Sequence, residues 1–310
     1  MKMKQPPEIQ GDILNRLLQG LPYVSPAQMH LEQATTSRTV LQEEKQGHDT
    51  TGPRTLKTAI RELANQATEV SVEDVFCSLC QLRGSDDIEK IERATRGQST
   101  NNFWLEHRIG MITASVAHNV FTRVHTIRTK MGPHDVRPLL KQLMREKCVK
   151  TGDMQRGISL EPTAKTCYLE QNNHHNNLCI QECGLFVLQD KPFIGASPDG
   201  VVTCACCPPR LLEVKCPKSV EKFIKSETRC EGGTRHIKHT SRYFCQAQVQ
   251  MGATSFSATD MFVYVSQTEN ITLNVPFSQP YFEDVIERCT FFLGNIFCHI
   301  FFIWYSKNVV

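Results

Sequence analysis

The sequence has little net charge, because 35 Lys and Arg residues against 32 Asp and Glu residues leave a formal charge of +3 at pH 7. So small an excess does not by itself indicate nucleic-acid binding, and any surface for a polyanion must be a local patch. Internal repeats and low-complexity tracts are also lacking, which excludes solenoids and arrays. The 40% hydrophobic and 22% charged residues are typical of a soluble globular protein with one large domain or two modest ones.

A secretory leader and a long hydrophobic run are lacking too. Residues 1–20 contain no apolar core of a signal peptide, so we expect an intracellular chain that is not secreted, in either the nucleus or the cytoplasm. Residues 290–305 are strongly apolar, but they are fewer than the roughly 20 that a membrane-spanning helix needs, and Gly294, Asn295 and His299 interrupt them. We expect a buried closing helix in the first half of this stretch, and no membrane contact.

The 14 cysteines lie between Cys77 and Cys298, and in an intracellular chain we expect reduced thiols. Cys77 and Cys80 form a CxxC pair, but no second CxxC completes a four-ligand site with it. A further group surrounds a predicted hairpin: Cys204, Cys206, Cys207 and Cys216. Because free buried cysteine is the commoner state, we do not expect a structural zinc or an iron–sulfur cluster.

The composition divides the chain into four parts. Residues 1–70 are poor in apolar side chains apart from a helix-like piece at 13–21, and they predict a weakly ordered arm or linker. Residues 71–100 predict a short helical segment that begins at an N-cap serine, Ser71. The main domain is predicted at residues 101–297. Residues 298–310 form an apolar tail of unknown role.

Within the main domain, helical and strand-like patterns alternate. We predict helices at residues 102–108, 114–122, 138–150, 159–171, 243–252 and from 279 onward. We predict strands at residues 184–189, 193–196, 199–203, 211–215, 261–265 and 271–275, and a short one ending at Thr113. Helices that flank a small central mixed sheet indicate an α/β fold.

The segment SPDGVVTCACCPPRLLEVKCP carries the clearest chemical pattern. Asp199 lies at the mouth of one predicted strand, and Glu213 and Lys215 lie two residues apart on the next, so that they share one face. A strand–turn–strand connection can bring the three together. Two carboxylates at a sheet end suit Mg²⁺ or Mn²⁺, and a neighbouring lysine can position a water or stabilise charge on a phosphate. This chemistry is that of metal-dependent phosphodiester hydrolysis.

A plainer interpretation is that Asp199 is the turn residue of a PDG sequence, and that Glu213 and Lys215 form a surface ion pair. Against it, these two charged residues lie inside an apolar strand that a proline follows. Both interpretations stay open at this level.

Two helices offer further polar groups. Glu161 falls in the first turn of the helix predicted from Ser159, where it is either a third carboxylate or a residue that compensates the helix dipole. Tyr243, Gln246 and Gln250 share one face of a later helix. They suit hydrogen bonds to a phosphate or to an attacking water, and the alternative is the polar edge of a surface helix.

Upstream, Ser115 lies near the start of a predicted helix, just after Arg108. Arginine and helix N-termini both bind phosphate, whereas the alternative for Ser115 is a simple N-cap.

The ordered segments RIGMITAS, GISLEPTA, GASPDG, LLEVKCP and YFCQAQ resemble the YqaJ-like viral recombinase family, which includes the phage lambda-type exonucleases. The resemblance covers about residues 103–265. It implies a restriction-endonuclease-like PD-(D/E)xK core and a 5′-to-3′ exonuclease that needs Mg²⁺ or Mn²⁺ and acts on duplex DNA ends in recombination or repair. It also implies a homo-oligomer, a trimer in the phage enzyme, and allows a single-strand annealing protein as partner.

The resemblance assigns roles residue by residue. Its metal ligands are Asp199, Glu213 and, as an additional carboxylate, Glu161. Its catalytic lysine is Lys215, and Gln246 lies near the nucleophilic water. Its pocket for a terminal 5′-phosphate and for DNA comprises Arg108, Ser115, Ser197 and Tyr243.

Three features depart from the family pattern: the CACC loop at residues 204–210, the first hundred residues and the apolar tail from about Cys298. Two other classes of function therefore stay open, a DNA-end-binding protein without catalysis and a cysteine-rich interaction module. The complete set of acids, lysine and glutamine favours an enzyme over the first, and only the cysteine content supports the second.

Overall fold

The structure, a computed structural model, describes residues 53–65, 71–145 and 151–300. The helices of these residues are α1 (Leu56–Asn65), α2 (Val72–Cys80), α3 (Ser85–Ala94), α4 (Asn102–His107), α5 (Ala114–Thr129), α6 (Arg137–Met144), α7 (Gly152–Gln171), α8 (Val220–Glu227), α9 (Arg242–Thr254) and α10 (Gln279–Phe291). The strands are β1 (Ile112–Thr113), β2 (Cys179–Gln181), β3 (Phe186–Val187), β4 (Ile194–Ala196), β5 (Gly200–Thr203), β6 (Arg210–Lys215), β7 (Thr228–Glu231), β8 (Thr234–Ile237), β9 (Ala258–Tyr264) and β10 (Asn270–Pro276). The helix-like piece predicted at residues 13–21 lies outside the described residues.

The strands form a mixed five-stranded sheet with the order β10–β9–β6–β5–β2, a smaller sheet β1–β4–β3 and the hairpin β7–β8. In the large sheet β6 runs parallel to β9, and the remaining pairs are antiparallel. In the small sheet β1 runs parallel to β4. Helices pack against these sheets, which confirms the predicted α/β class.

The largest difference from the predicted elements is in α7. It begins at Gly152 rather than near residue 159, because the side chain of Thr151 caps it by accepting a hydrogen bond from the Met154 N–H at 3.2 Å. Glu161 and Pro162 therefore lie in the middle of the helix, and the predicted first-turn position of Glu161 is wrong. The predicted start relied on Pro162, because proline is common in the first turn of a helix. The threonine that caps the helix lies 10 positions upstream of Glu161 and is a weaker signal of a helix start.

Other differences concern short or polar elements. The hairpin β7–β8 and the helix α8 were not predicted, and neither was β2, where the burial pattern gives no apolar face. The helix predicted at residues 138–150 ends at Met144 in the structure, and residues 146–150 lie outside the described part of the chain.

The helices that precede residue 101 share one hydrophobic core with the main domain. Leu56 of α1 and Leu79 of α2 are fully buried in the same cluster as Phe292, which lies in the π-helical stretch Phe292–Phe297 after α10. Residues 56–65 thus form a packed helix where the sequence indicated a weakly ordered arm. Because the surrounding residues include few apolar side chains, the short amphipathic face of this helix does not stand out in the sequence. Packing against the core stabilises the helix more than the helix propensity of its residues does.

The end of the described chain is buried as well. The residues that follow α10 as far as Cys298 lie in the core, which agrees with the predicted closing helix. None of the described helices has the length and the hydrophobicity needed to span a membrane.

A backbone contact joins α3 to the small sheet at Gly184. The Gly184 N–H donates to the Glu92 carboxylate at 3.0 Å, and the next N–H, of Leu185, donates to the Thr95 hydroxyl at 2.7 Å. A Cβ on Gly184 would lie 1.8 Å from the carbonyl oxygen of Glu92. Only glycine allows this close approach between helix and sheet.

Gly184→Ala should therefore lower the free energy of unfolding by about 1–3 kcal/mol or more, because backbone atoms must move apart. Gly157→Ala is the matched control, since Gly157 is helical with no atom within 4 Å of the added Cβ, and it should gain about 0.5–1 kcal/mol. Urea denaturation of the full chain measures both. An unchanged midpoint for Gly184→Ala would show that α3 does not pack on the sheet in this way.

Candidate active site

The hairpin β5–β6 positions one acid beside another strand. Asp199 precedes β5, its N–H donates to the Leu212 carbonyl at 3.1 Å, and its Oδ2 accepts from the Val214 N–H at 2.7 Å. Leu211 and Leu212 are fully buried, so the apolar content of β6 places the strand in the middle of the sheet. Asp199 is thereby held against the strand that carries the second acid and the lysine.

Glu213 is the most constrained acid of the site, with 3% of its surface exposed. Its Oε1 accepts from Lys215 Nζ at 2.5 Å and from Gln246 Nε2 at 2.6 Å, and its Oε2 accepts from Gln250 Nε2 at 2.6 Å. Lys215 Nζ also donates to Gln246 Oε1 at 3.0 Å. A buried carboxylate requires such donors, so the charge of Glu213 is stabilised by β6 and α9 together.

The third carboxylate comes from α7. Glu161 accepts from Lys165 Nζ at 2.6 Å, one helical turn away. Glu161 lies close enough to Asp199 for its charge to shift the pKa of Asp199. Burial, and then the charges of Glu213 and Glu161, hold that pKa well above its usual range. Burial lowers the pKa of Lys215, but the charges of Glu213 and Asp199 outweigh it, and the net shift is upward. Lys215 is therefore a protonated cation among three acids.

Cys216, which the sequence grouped with the cysteines of the hairpin loop, lies near the carboxylates at the far end of β6 instead. Burial raises the pKa of its thiol to about 11, and the charges of Asp199 and Glu161 add to the shift. It is the residue after Lys215, at the opposite end of β6 from the loop.

A buried polar network fixes α7 on the sheet. The Tyr168 O–H donates to Asp260 Oδ2 at 2.6 Å, and Arg210 forms an ion pair with the same carboxylate. Arg210 Nη2 also donates to the Tyr168 hydroxyl at 3.1 Å, and Asn274 donates to Asp260 Oδ1 at 3.2 Å. Because Tyr168 lies two turns after Glu161 on α7, the network places that helix, and its acid, against β6 and β9.

The donor set suits a hard divalent cation. Burial, and then the charges of Glu213 and Glu161, raise the pKa of Asp199, and Lys215 offsets this rise only in part. Oxygen ligands of this kind favour Mg²⁺ or Mn²⁺. Asp199, Glu213 and Glu161 are the residues that could hold the ion.

Two of the predicted phosphate-binding residues are linked through a tryptophan. The guanidinium of Arg108, at the end of α4, lies 3.6 Å from the centre of the Trp104 ring. The indole N–H of Trp104 donates to Ser197 Oγ at 2.8 Å. Ser197 is two residues before Asp199, so this group adjoins the carboxylate site.

Ser115 lies at the same end of the small sheet as Ser197. Thr113 of β1 pairs with Gly195 of the parallel strand β4, so Ser115 and Ser197 each follow the paired position by two residues. The N-cap of α5 is Thr113, which excludes the simple N-cap interpretation of Ser115. Its hydroxyl is within 3.2 Å of that of Thr113.

Tyr243 lies on the lysine side of the site. Lys215 Nζ is 5.1 Å from the centre of its ring, and Arg242 Nη2 donates to its hydroxyl at 2.9 Å. The three polar residues of α9 that share a face in the sequence therefore all contact β6. Only the tertiary contacts show that this face is turned inward.

Sequence reasoning gave no role to several residues that the structure places in or beside the site. Gln250 was recognised only as a member of the polar face of α9, although it is fully buried and donates to Glu213. Trp104 and Lys165 were not singled out, although each lies four residues from a predicted site residue, a spacing that brings side chains together on a helix. A group of His175 with three cysteines was also missed.

An acid at the start of one strand, an acid and a lysine two residues apart on the next, and a glutamine from a following helix define a PD-(D/E)xK-type core. The model of the YqaJ-like viral recombinase domain matches residues 103–257, half of the 310 residues. The chain belongs to this family.

Solved structures with a similar fold include an alkaline exonuclease (LHK-Exo) from Laribacter hongkongensis, 21% identical with a TM-score of 0.48, where 66% of this chain and 96% of that chain are covered. The Shutoff and Exonuclease Protein of Kaposi's sarcoma-associated herpesvirus is 12% identical with a TM-score of 0.41, over 81% and 80% of the two chains. A phage-related exonuclease from Haemophilus somnus 129PT is 13% identical with a TM-score of 0.39, over 64% and 96%. No curated protein matches the chain.

Gln250→Glu tests the environment of Glu213. It replaces a donor by a second carboxylate, so one of the two acids must take up a proton, and its pKa rises in the folded state. A raised folded-state pKa makes stability fall as pH rises through it. We expect a loss of about 1–3 kcal/mol relative to the parent, larger at mildly alkaline than at mildly acidic pH.

The matched control is Gln181→Glu, the same chemical change at an exposed position of β2. It should alter stability by less than about 0.5 kcal/mol at either pH. Equal effects of the two variants in urea titrations would contradict the buried contact between Gln250 and Glu213.

Proposed function

We propose that this protein is a divalent-metal-dependent DNA exonuclease that hydrolyses phosphodiester bonds from the ends of duplex DNA, in the 5′-to-3′ direction, during recombination or repair. Membership of the YqaJ-like family supports a nuclease. The observation that carries the proposal is the convergence of Glu213, Lys215 and Gln246, within 3.0 Å of one another, beside Asp199 and Glu161.

Asp199, Glu213 and Glu161 would hold Mg²⁺ or Mn²⁺. When bound, the ion supplies charge neutralisation for the phosphate and lowers the pKa of water. Lys215 keeps its proton, because the acids beside it raise its pKa, and its ammonium group can stabilise the charge that develops on a phosphate oxygen. Gln246, with one amide atom on Glu213 and the other on Lys215, orients both groups and can donate to a water beside them.

The group formed by Arg108, Trp104 and Ser197, with Ser115 at the same sheet edge, supports end recognition. Arginine presents a planar set of donors that matches a phosphate, and stacking on Trp104 restricts its orientation. A terminal 5′-phosphate bound there would place the first phosphodiester toward Asp199, two residues after Ser197. Tyr243 offers a further contact to DNA from the lysine side. A homo-oligomer and a single-strand annealing partner remain expectations from the family.

An inactive end-binding protein would be expected to have lost at least one of the acids or the lysine. All of them are present, and their side chains contact one another or act on one another's pKa. We therefore favour the enzyme over the binding protein.

The first test is digestion of an end-labelled linear duplex with and without Mg²⁺. We expect release of nucleotides from linear DNA only with the metal, and resistance of closed circles. Lys215→Ala should reduce the rate by about 10²–10⁴-fold, the usual contribution of one positioned group, while end binding stays measurable.

The control for that variant is Lys218→Ala, which removes an exposed lysine three residues away and should leave the rate unchanged. Cleavage that persists in EDTA would rule out the metal-dependent mechanism. Full activity of Lys215→Ala would show that the lysine takes no part in the mechanism.

A second test addresses the phosphate pocket. The parent protein should degrade 5′-phosphorylated ends faster than 5′-hydroxyl ends, and Arg108→Ala should make the two rates equal because the bidentate donor is lost. Arg93→Ala, at an exposed arginine of α3, should keep the preference. Competition between the two labelled ends in one reaction measures the ratio directly, and equal rates in the parent would refute the pocket.

A further inference from the structure

We propose that His175, Cys204, Cys206 and Cys207 form a structural zinc site, separate from the carboxylate site. The four donor atoms lie within 4.8 Å of one another. Three thiolates and an imidazole are a donor set of structural zinc sites, in which four protein ligands surround the ion tetrahedrally.

The separations between the donor atoms match a single ion. With metal–sulfur bonds of about 2.3 Å and metal–nitrogen bonds of about 2.0–2.1 Å, tetrahedral geometry requires sulfurs about 3.8 Å apart and sulfur–nitrogen distances of about 3.6 Å. The sulfur of Cys206 is 3.6 Å from that of Cys204 and 3.9 Å from that of Cys207. His175 Nδ1 lies 3.1, 3.9 and 3.6 Å from the sulfurs of Cys206, Cys204 and Cys207.

The same separations argue against the other uses of clustered cysteines. Disulfide-bonded sulfurs are about 2.05 Å apart, and these cysteines are free. The ligands of an iron–sulfur cluster surround several iron atoms, so they lie farther apart than the ligands of one ion. Soft thiolates select zinc over Mg²⁺ or Ca²⁺.

The surrounding backbone brings the two contributing loops together without the ion. The cysteines occupy the loop between β5 and β6, and His175 lies in the connection between α7 and β2. The Ala205 N–H donates to the Asn176 carbonyl at 2.8 Å, and the His175 N–H donates to the Asn172 carbonyl at 3.0 Å. Pro208 and Pro209 follow directly and limit the conformations of the loop.

The sequence did not lead us to expect this site, because its fourth ligand is a histidine 29 residues before the first cysteine rather than a cysteine. The position of the site defines its role. Cys204 follows β5, whereas Asp199 precedes it, so the two centres are separated by roughly 15 Å along the strand. A zinc ion there would join the end of α7, which carries Glu161, to the hairpin that carries Asp199 and Glu213.

The test is the metal content of the full chain, expressed with zinc and purified without chelator. We expect about one zinc per chain in the parent protein. Substituted with Co²⁺, the same chain should show the visible absorption bands of tetrahedral thiolate coordination, a readout that does not depend on nuclease activity or on any variant. Zinc at trace level together with the absence of these bands would overturn the proposal, as would stoichiometric copper or iron in its place.

Matched variants locate the ion. His175→Ala and Cys206→Ser should lose zinc, whereas His174→Ala, at the adjacent histidine, and Cys230→Ser, at another exposed cysteine, should keep it. His175→Cys should restore binding through a fourth thiolate, which distinguishes loss of a ligand from loss of the fold. Asp199→Asn should retain zinc, and zinc that disappeared with this change would place the ion in the carboxylate site instead.

Discussion

The burial of the Glu213 carboxylate is the constraint on which the site depends. Removing an ionised acid from water costs several kcal/mol unless charged and polar donors compensate. Here one donor comes from the same strand, Lys215, and two come from α9, Gln246 and Gln250. The donors that a buried carboxylate needs are thus present together only where β6 and α9 are packed against each other, and folding and the assembly of the site become one event.

A second set of interactions keeps α7 in place. The buried contact of Tyr168 with Asp260 and Arg210 holds the last turn of the helix on the sheet, while the Ala205–Asn176 hydrogen bond joins the loop that follows the helix to the hairpin loop. Both lie away from the three acids. They matter for the site because they help to position Glu161 relative to β6, and an acid about one ångström out of place weakens a shared ion site.

Much of the site followed from short-range periodicity. Strand alternation placed Glu213 and Lys215 on one face, and helical spacing placed Gln246 and Gln250 on another, because these patterns depend only on backbone geometry within a few residues. Glu161 was identified although its helix begins earlier than predicted, since the face of a helix does not depend on where the helix starts. The α/β class followed from the same alternation of patterns.

The sequence by itself therefore determined which side chains share a face, and with it the candidates Glu213, Lys215 and Gln246. Only the tertiary structure decided which faces meet: that Leu56 of the presumed arm enters the core, that Trp104 connects Arg108 to Ser197, and that His175 lies among the cysteines of the hairpin loop. The physical reason is that these contacts join residues far apart along the chain. Their pairing depends on loop closure and on packing across the whole domain, which no local pattern encodes.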